Sequence, residues 1–192
     1  MNHCIIFAHP KTDSFNGAIL DTYREALKGQ GHSVEVRDLY RLGFNPVLSW
    51  EEYRKQFQGD YADDVKAEHA YIQWADAITL VYPVWWAGLP ALGKGYLDRV
   101  ITFGFAYELE GEKPIPLLNG KKAATIFTSG TPENIYRGTG MANSLKQTIE
   151  EGLFDFCGME TVDHLYFGNA VLAEGTERKR MFAEVRELAE RF

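Results

Sequence analysis

The run Ile78-Thr79-Leu80-Val81-Tyr82-Pro83-Val84-Trp85-Trp86-Ala87-Gly88-Leu89-Pro90 changes character twice in a short span. Residues 78–82 are apolar or β-branched without alternation, as in a strand buried on both faces. Pro83 cannot donate to a ladder and stops the strand. Val84 to Gly88 form a loop, and Pro90 suits the first turn of a helix continuing to about Val100. A fully buried strand that leads into a helix belongs to a parallel sheet, whose faces are covered by the crossover helices.

The same unit recurs on either side. His3 to Ala8 is a short apolar run bounded by His9-Pro10, and Phe15, Ala18, Ile19, Tyr23, Ala26 and Leu27 follow at helical spacing until Gly29 or Gly31. Ser33 to Leu39, through Val34 and Val36, reads as a second strand. Asn45-Pro46 marks a turn, Trp50 to Phe57 a short helix, and Ala62 to Trp74 a longer helix with one polar side. Lys121 to Thr128 is a fourth strand, followed by a loop from Ser129 to Gly140 and a helix from Ala142 to about Phe156. Thr161 to Phe167 is a fifth strand, and Glu174 to Arg191 a terminal helix of alternating charge. This alternation predicts one α/β domain over residues 1–192: a doubly wound, five-stranded parallel sheet of order 2-1-3-4-5 with helices on both faces. Ligands of such sheets gather beyond the carboxyl ends of the strands, near the switch point.

The bulk properties narrow the classes. A net charge of −7 disfavours nucleic acid as a partner, since tracking phosphates needs a basic excess. Cys4 and Cys157 stand far apart with neither metal nor redox spacing, and read as buried free thiols; no metal site is expected. No apolar run is long enough to span a bilayer. The apolar N-terminal stretch is too short for a signal peptide and has no basic region ahead of it, so a cytoplasmic protein is expected. The aromatic fraction of 14% is high for a small domain, and several of these residues fall in loops.

Three of those loops leave the carboxyl ends of the expected strands. The first runs from His9 to Gly17 and offers an imidazole, the hydroxyls of Thr12 and Ser14, the amide of Asn16 and a helix N-terminus, which together can hold an anion. An ordinary N-cap at Asp13 or Ser14 accounts for the same residues, and the loop matches neither a dinucleotide fingerprint nor a P-loop. In the second loop, Trp85 and Trp86 cannot both face one core, because consecutive side chains diverge. At least one is expected at the surface, where rings and peptide planes suit a flat heteroaromatic ligand; core or dimer contacts are the alternative. The third loop, Thr128-Ser129-Gly130-Thr131-Pro132-Glu133-Asn134-Ile135-Tyr136, has hydroxyls, a glycine that admits close backbone approach, and a tyrosine able to donate into the same crevice.

At these residues the sequence resembles the NAD(P)H dehydrogenase (quinone) family, the flavodoxin-like-fold quinone reductases. The resemblance covers nearly the whole chain. It rests on Ala8-His9-Pro10, Ser14-Phe15-Asn16, the run Tyr82 to Ala91, Lys94-Gly95, Asp98-Arg99-Val100, Phe105-Ala106-Tyr107, Thr128-Ser129-Gly130 and Phe156-Cys157-Gly158. It implies a flavodoxin-like fold, a flavin (FAD or FMN), NADH or NADPH as electron donor and a quinone-like acceptor. His9, Thr12, Ser14, Phe15 and Asn16 would take the phosphate and ribityl part. Pro83, Val84, Trp85, Trp86 and Ala87 would lie along the ring, with Thr128, Ser129 and Gly130 at its pyrimidine edge. Gly130 and Tyr136 carry the catalytic roles in this reading. The family works as a homodimer with shared sites, and Tyr107 and Phe156 match positions that close the pocket from the partner chain. The longer family members carry a histidine shortly after the position of Tyr136; here the segment is Arg137-Gly138-Thr139-Gly140, without one. The length is nearer that of bacterial members, among them general-stress reductases and ancillary proteins of potassium-efflux transporters. A regulatory subunit of such a transporter and a flavodoxin-like electron carrier are the rival expectations.

Overall fold

The computed structural model describes residues 1–192. The chain runs β1 (Asn2–Phe7), α1 (Phe15–Gly29), β2 (Ser33–Asp38), α2 (Trp50–Gln56), α3 (Asp63–Trp74), β3 (Ala77–Pro83) and α4 (Ala91–Val100). It continues through β4 (Tyr107–Glu110), β5 (Lys113–Pro116), β6 (Lys122–Thr128), α5 (Glu133–Gly138), α6 (Met141–Ile149), a π-helical turn (Glu150–Asp155), β7 (Glu160–Phe167) and α7 (Gly175–Ala189). Five strands form one parallel sheet in the order β2-β1-β3-β6-β7. With β6 and β7 as the fourth and fifth strands, this is the expected 2-1-3-4-5.

Alternation along each strand divides the core between the two faces. Cys4, Ile6, Ile78, Leu80, Tyr82 and Phe127 point to one side, where they meet Ile72 of α3, Tyr96 and Val100 of α4, and Leu145 of α6. Ile5, Phe7, Val81, Ala124, Ile126 and Phe167 point to the other side, against Ile19, Tyr23 and Leu27 of α1 and Met181, Val185 and Leu188 of α7. β3 is buried along its whole length, which is why its sequence is apolar without alternation.

The structure adds three features absent from the sequence reading. β4 and β5 form a two-stranded antiparallel hairpin turning at Gly111, whose φ of 64° favours glycine. The hairpin is short and mostly exposed, so it carries no apolar period to read. Residues 133–138 of the third loop form the single-turn helix α5. The expected helix from Ala142 to Phe156 widens into the π-helical turn after Ile149. The wider turn keeps Ile149 buried while bringing Phe154 to stack on His164 of β7 at 6.2 Å.

Arg99 of α4 fastens the irregular segment ahead of α2. It is 4% exposed and donates to Glu52, to both carboxylate oxygens of Asp64 and to the Asn45 carbonyl. No helix is long and apolar enough to cross a membrane.

Candidate functional site

The parallel register brings β1, β3 and β6 to a common edge: Phe7 pairs with Val81, and Pro83 with Thr128. The pairing continues just past the strands, where Val84 N–H donates to the Thr128 carbonyl at 2.7 Å. Beyond that point the loops diverge around a cleft of about 450 Å³. His9, Phe15 and Asn16 line it from the first loop, Pro83, Val84 and Trp85 from the second, and Thr128, Ser129 and Gly130 from the third.

In the first loop, Ser14 is the N-cap of α1, and its Oγ accepts Gly17 N–H at 3.1 Å. A Cβ on Gly17 would overlap the Thr12 carbonyl, so only glycine lets the loop fold back this tightly. With Ser14 turned to its capping bond, the N–H groups of Phe15 and Asn16 make no hydrogen bond within the chain, and they lie at the positive end of α1. Asn16 spans two loops: its Nδ2 donates to Thr128 Oγ1 at 2.9 Å, while its Oδ1 is buried without a partner. An unpaired buried acceptor costs about 1–3 kcal/mol, and a hydroxyl-bearing ligand in the cleft would satisfy it. Thr12 lies elsewhere, in a neighbouring depression with Arg24 and Arg41. His9 Nδ1 sits 2.8 Å from the Lys11 carbonyl, which fixes the ring 6.3 Å from Trp85.

The second loop is a strained turn. Trp85 and Gly88 exchange two hydrogen bonds of 3.0 and 3.1 Å, and between them Trp86 and Ala87 have φ of 51° and 60°. Two left-handed residues make a type I′ turn, normally built from Asn or Gly, and each non-glycine residue there costs about 1 kcal/mol. The turn separates the tryptophans: Trp85 lines the cleft and Trp86 is fully exposed. The side chains of Trp86 and Ala87 do not line the cleft, yet their N–H groups are unbonded within the chain.

In the third loop, Gly130 N–H also has no partner in the chain. Its backbone is not left-handed, and a Cβ there would meet only Val171 Cγ2, at 4.0 Å. Neither the turn nor the packing of the chain requires glycine at this position. Tyr136 does not line the cleft. It sits on α5 with its ring stacked on Tyr166 at 5.8 Å, and its hydroxyl makes no hydrogen bond in the chain.

A fourth wall escaped the sequence reading. Ala170, Val171, Ala173 and Glu174, after β7, close the cleft together with Arg178 of α7. The Arg178 guanidinium lies 5.0 Å over the Phe15 ring and enters no salt bridge, so a free cation flanks the free N–H groups of α1. Within the alternating charges of the terminal helix nothing marks this arginine out. Tyr107 and Phe156 are brought together, edge to face at 5.0 Å, but in a separate apolar groove of about 540 Å³ that also includes Leu97, Ile101 and Leu153.

A family model described as a flavodoxin-like fold matches residues 1–191. A Haemophilus influenzae protein named as an NAD(P)H oxidoreductase is 43% identical over 182 residues, covering 94% of this chain and 90% of the relative. Ribosyldihydronicotinamide dehydrogenase (quinone) of Pongo abelii is 30% identical, covering 93% of this chain and 86% of its own. Among solved structures, the NAD(P)H:quinone oxidoreductase of Methanothermobacter marburgensis superposes with a TM-score of 0.86 at 33% identity, over 98% of this chain and 94% of that one.

Proposed function

The chain belongs to the flavodoxin-like-fold family of NAD(P)H:quinone oxidoreductases, and from that premise we propose that it binds a flavin in the cleft above β1, β3 and β6 and uses it to carry electrons, two at a time, from NADH or NADPH to a quinone-like acceptor. The observation that supports this most directly is the set of unsatisfied groups converging on one cleft: the N–H groups of Phe15, Asn16 and Gly130 and the buried Oδ1 of Asn16. A phosphate would satisfy the Phe15 and Asn16 N–H groups, a polyhydroxylated chain the Asn16 Oδ1, and a flat ring rich in acceptors the Gly130 N–H.

In this reading the N-terminus of α1 and Arg178 hold the phosphate end, whether of FMN or of FAD. Asn16 Oδ1 accepts a ribityl hydroxyl, and Trp85 with the strained turn forms the shelf for the ring. The flavin supplies the hydride chemistry when bound; the chain orients it and tunes the charge around it. The Gly130 N–H would meet the edge of a bound ring, and a preorganised donor beside the negative charge developed on reduction would be worth about 3 kcal/mol. Tyr136 stands outside the cleft, stacked on Tyr166, and takes no part in holding the ring. The cleft would leave one face of a bound ring open, and a donor and an acceptor taking turns there would give ping-pong kinetics. A second copy of the chain covers the groove around Tyr107 and Phe156, and these two side chains close the partner's cleft in the resulting homodimer.

The test is direct. The purified protein should be yellow, release FMN or FAD on denaturation, and give parallel double-reciprocal lines with NAD(P)H and a quinone. A colourless protein that takes up neither flavin, or intersecting lines, refutes the proposal.

A further inference from the structure

The loop after β6 brings more hydrogen-bond donors to one acceptor than that acceptor can use. The Thr131 carbonyl oxygen lies 2.9 Å from Ser129 Oγ, 3.3 Å from the Tyr166 hydroxyl and 3.0 Å from the Asn169 amide nitrogen. A carbonyl oxygen has two lone pairs, so three donors compete for it. Ser129 Oγ and the Tyr166 hydroxyl are themselves 2.8 Å apart, and either can donate to the other.

Two arrangements satisfy this cluster. In one, Ser129 donates to Thr131 and Tyr166 donates to Ser129. In the other, Tyr166 donates to Thr131 beside the Asn169 N–H, and the Ser129 hydrogen is released. Both lone pairs of the carbonyl are filled in either arrangement, and the cost of the exchange falls on Ser129 Oγ, which loses the Tyr166 donor and gains a bond only where its own hydrogen meets a ligand. Ser129 lines the cleft and Tyr166 does not, so the released hydrogen can point at a ligand. Burial raises the Tyr166 pKa above that of an ordinary phenol, which keeps it a donor at neutral pH. Only hydroxyl rotations are involved; no bond to hydrogen breaks.

We propose that Tyr166 is a positioning residue whose hydroxyl takes over the Thr131 carbonyl and so frees Ser129 to donate to the flavin edge when negative charge develops there. This rests on the flavin reading above. In the oxidised state the edge asks less of Ser129, and the first arrangement holds. In the reduced state the second arrangement adds a donor to the anionic ring edge, as electrostatic stabilisation of that charge requires. The consequence is selective: Tyr166 should favour bound reduced flavin over bound oxidised flavin.

Tyr166→Phe deletes the hydroxyl and keeps the ring stacked between Phe127 and Tyr136. Spectroelectrochemical titration of the flavin-loaded protein should show reduced flavin held about tenfold more weakly relative to oxidised flavin, a midpoint lower by about 30 mV for a two-electron couple. Affinity for oxidised flavin should stay within about twofold. Ser129→Ala should lower the midpoint as much, and the double variant should fall no further, because both changes remove one donor. An unchanged or raised midpoint in Tyr166→Phe, or a double variant equal to the sum of the single ones, overturns the proposal. Should Tyr166→Phe fail to fold, an unshifted midpoint in Ser129→Ala does the same. A parent chain that takes up no flavin defeats the flavin reading itself, whereas flavin bound throughout at one potential defeats only the role of Tyr166.

Discussion

Gly130→Ala separates a glycine kept for the fold from one kept for a ligand. In the chain by itself the new methyl meets nothing nearer than Val171 Cγ2, at 4.0 Å, and the backbone there is not left-handed. Alanine also restricts the unfolded chain, so the flavin-free variant should gain about 0.4–1 kcal/mol of stability. Val171 lines the cleft, so the methyl projects into it. A ring edge bonded to the Gly130 N–H sits about 3 Å from that nitrogen, and a methyl needs about 3.5–4 Å from its neighbours. The ring must therefore lift by about 1 Å, which breaks the bond. Losing one partly charged hydrogen bond together with its packing costs about 1.5–3 kcal/mol, or roughly 10- to 100-fold in Kd. Urea unfolding with and without flavin measures both effects. At a flavin concentration of 100 times the parent Kd, the parent should gain about 2.7 kcal/mol and a hundredfold-weakened variant only about 0.4 kcal/mol. A flavin-free variant destabilised by more than about 1 kcal/mol, against the gain expected from chain entropy, would show that the fold needs this glycine. A Kd within about twofold of the parent, a change of only about 0.4 kcal/mol, would show that no ring approaches it.

Further outcomes follow from other sites. Arg99→Met should cost about 1–3 kcal/mol in urea unfolding, because it removes the buried guanidinium shared by the partly exposed Glu52 and Asp64 carboxylates; a loss under about 1 kcal/mol would reduce the network to an ordinary surface pair. Ala87→Gly removes the penalty of a left-handed alanine at φ 60° and should stabilise the protein by about 0.5–1 kcal/mol, read as a rise in Tm. Burial, aided by the neighbouring His32, lowers the His3 pKa to about 4. The unfolded chain binds the proton more readily, near pH 6.5, so the stability that His3 lends is full above that pH, falls on acidification and levels off below about pH 4. The swing is roughly 3 kcal/mol, and His3→Phe should flatten the unfolding profile between pH 7 and 4. A profile as steep as the parent's would place the acid sensitivity elsewhere.

The hairpin of β4 and β5 and the fourth wall of the cleft were illegible for related reasons. The hairpin strands are four residues each and mostly solvated, so no period of buried residues marks them. Arg178 resembles every other charge on its helix until α7 packs beside α1 and sets it over Phe15. Within the first loop, the sequence could nominate Thr12, Ser14 and Asn16 together but could not rank them. The fold spends Ser14 on the cap, turns Thr12 to the neighbouring depression and leaves Asn16 with an unpaired oxygen in the cleft. Tyr136 was expected in the crevice, and the α5 turn instead stacks it on Tyr166.

The sequence by itself determined the sheet, its strand order and the edge at which the cleft opens. Each follows from local patterns: apolar central strands, an alternating edge strand through Val34 and Val36, and helical spacing between them. The tertiary structure alone decided which hydroxyl, amide or cation is left unpaired at that edge. Hydrogen-bond satisfaction is shared among groups distant in the chain, as Asn16 with Thr128 and Ser129 with Tyr166 demonstrate, and only packing brings such partners within reach.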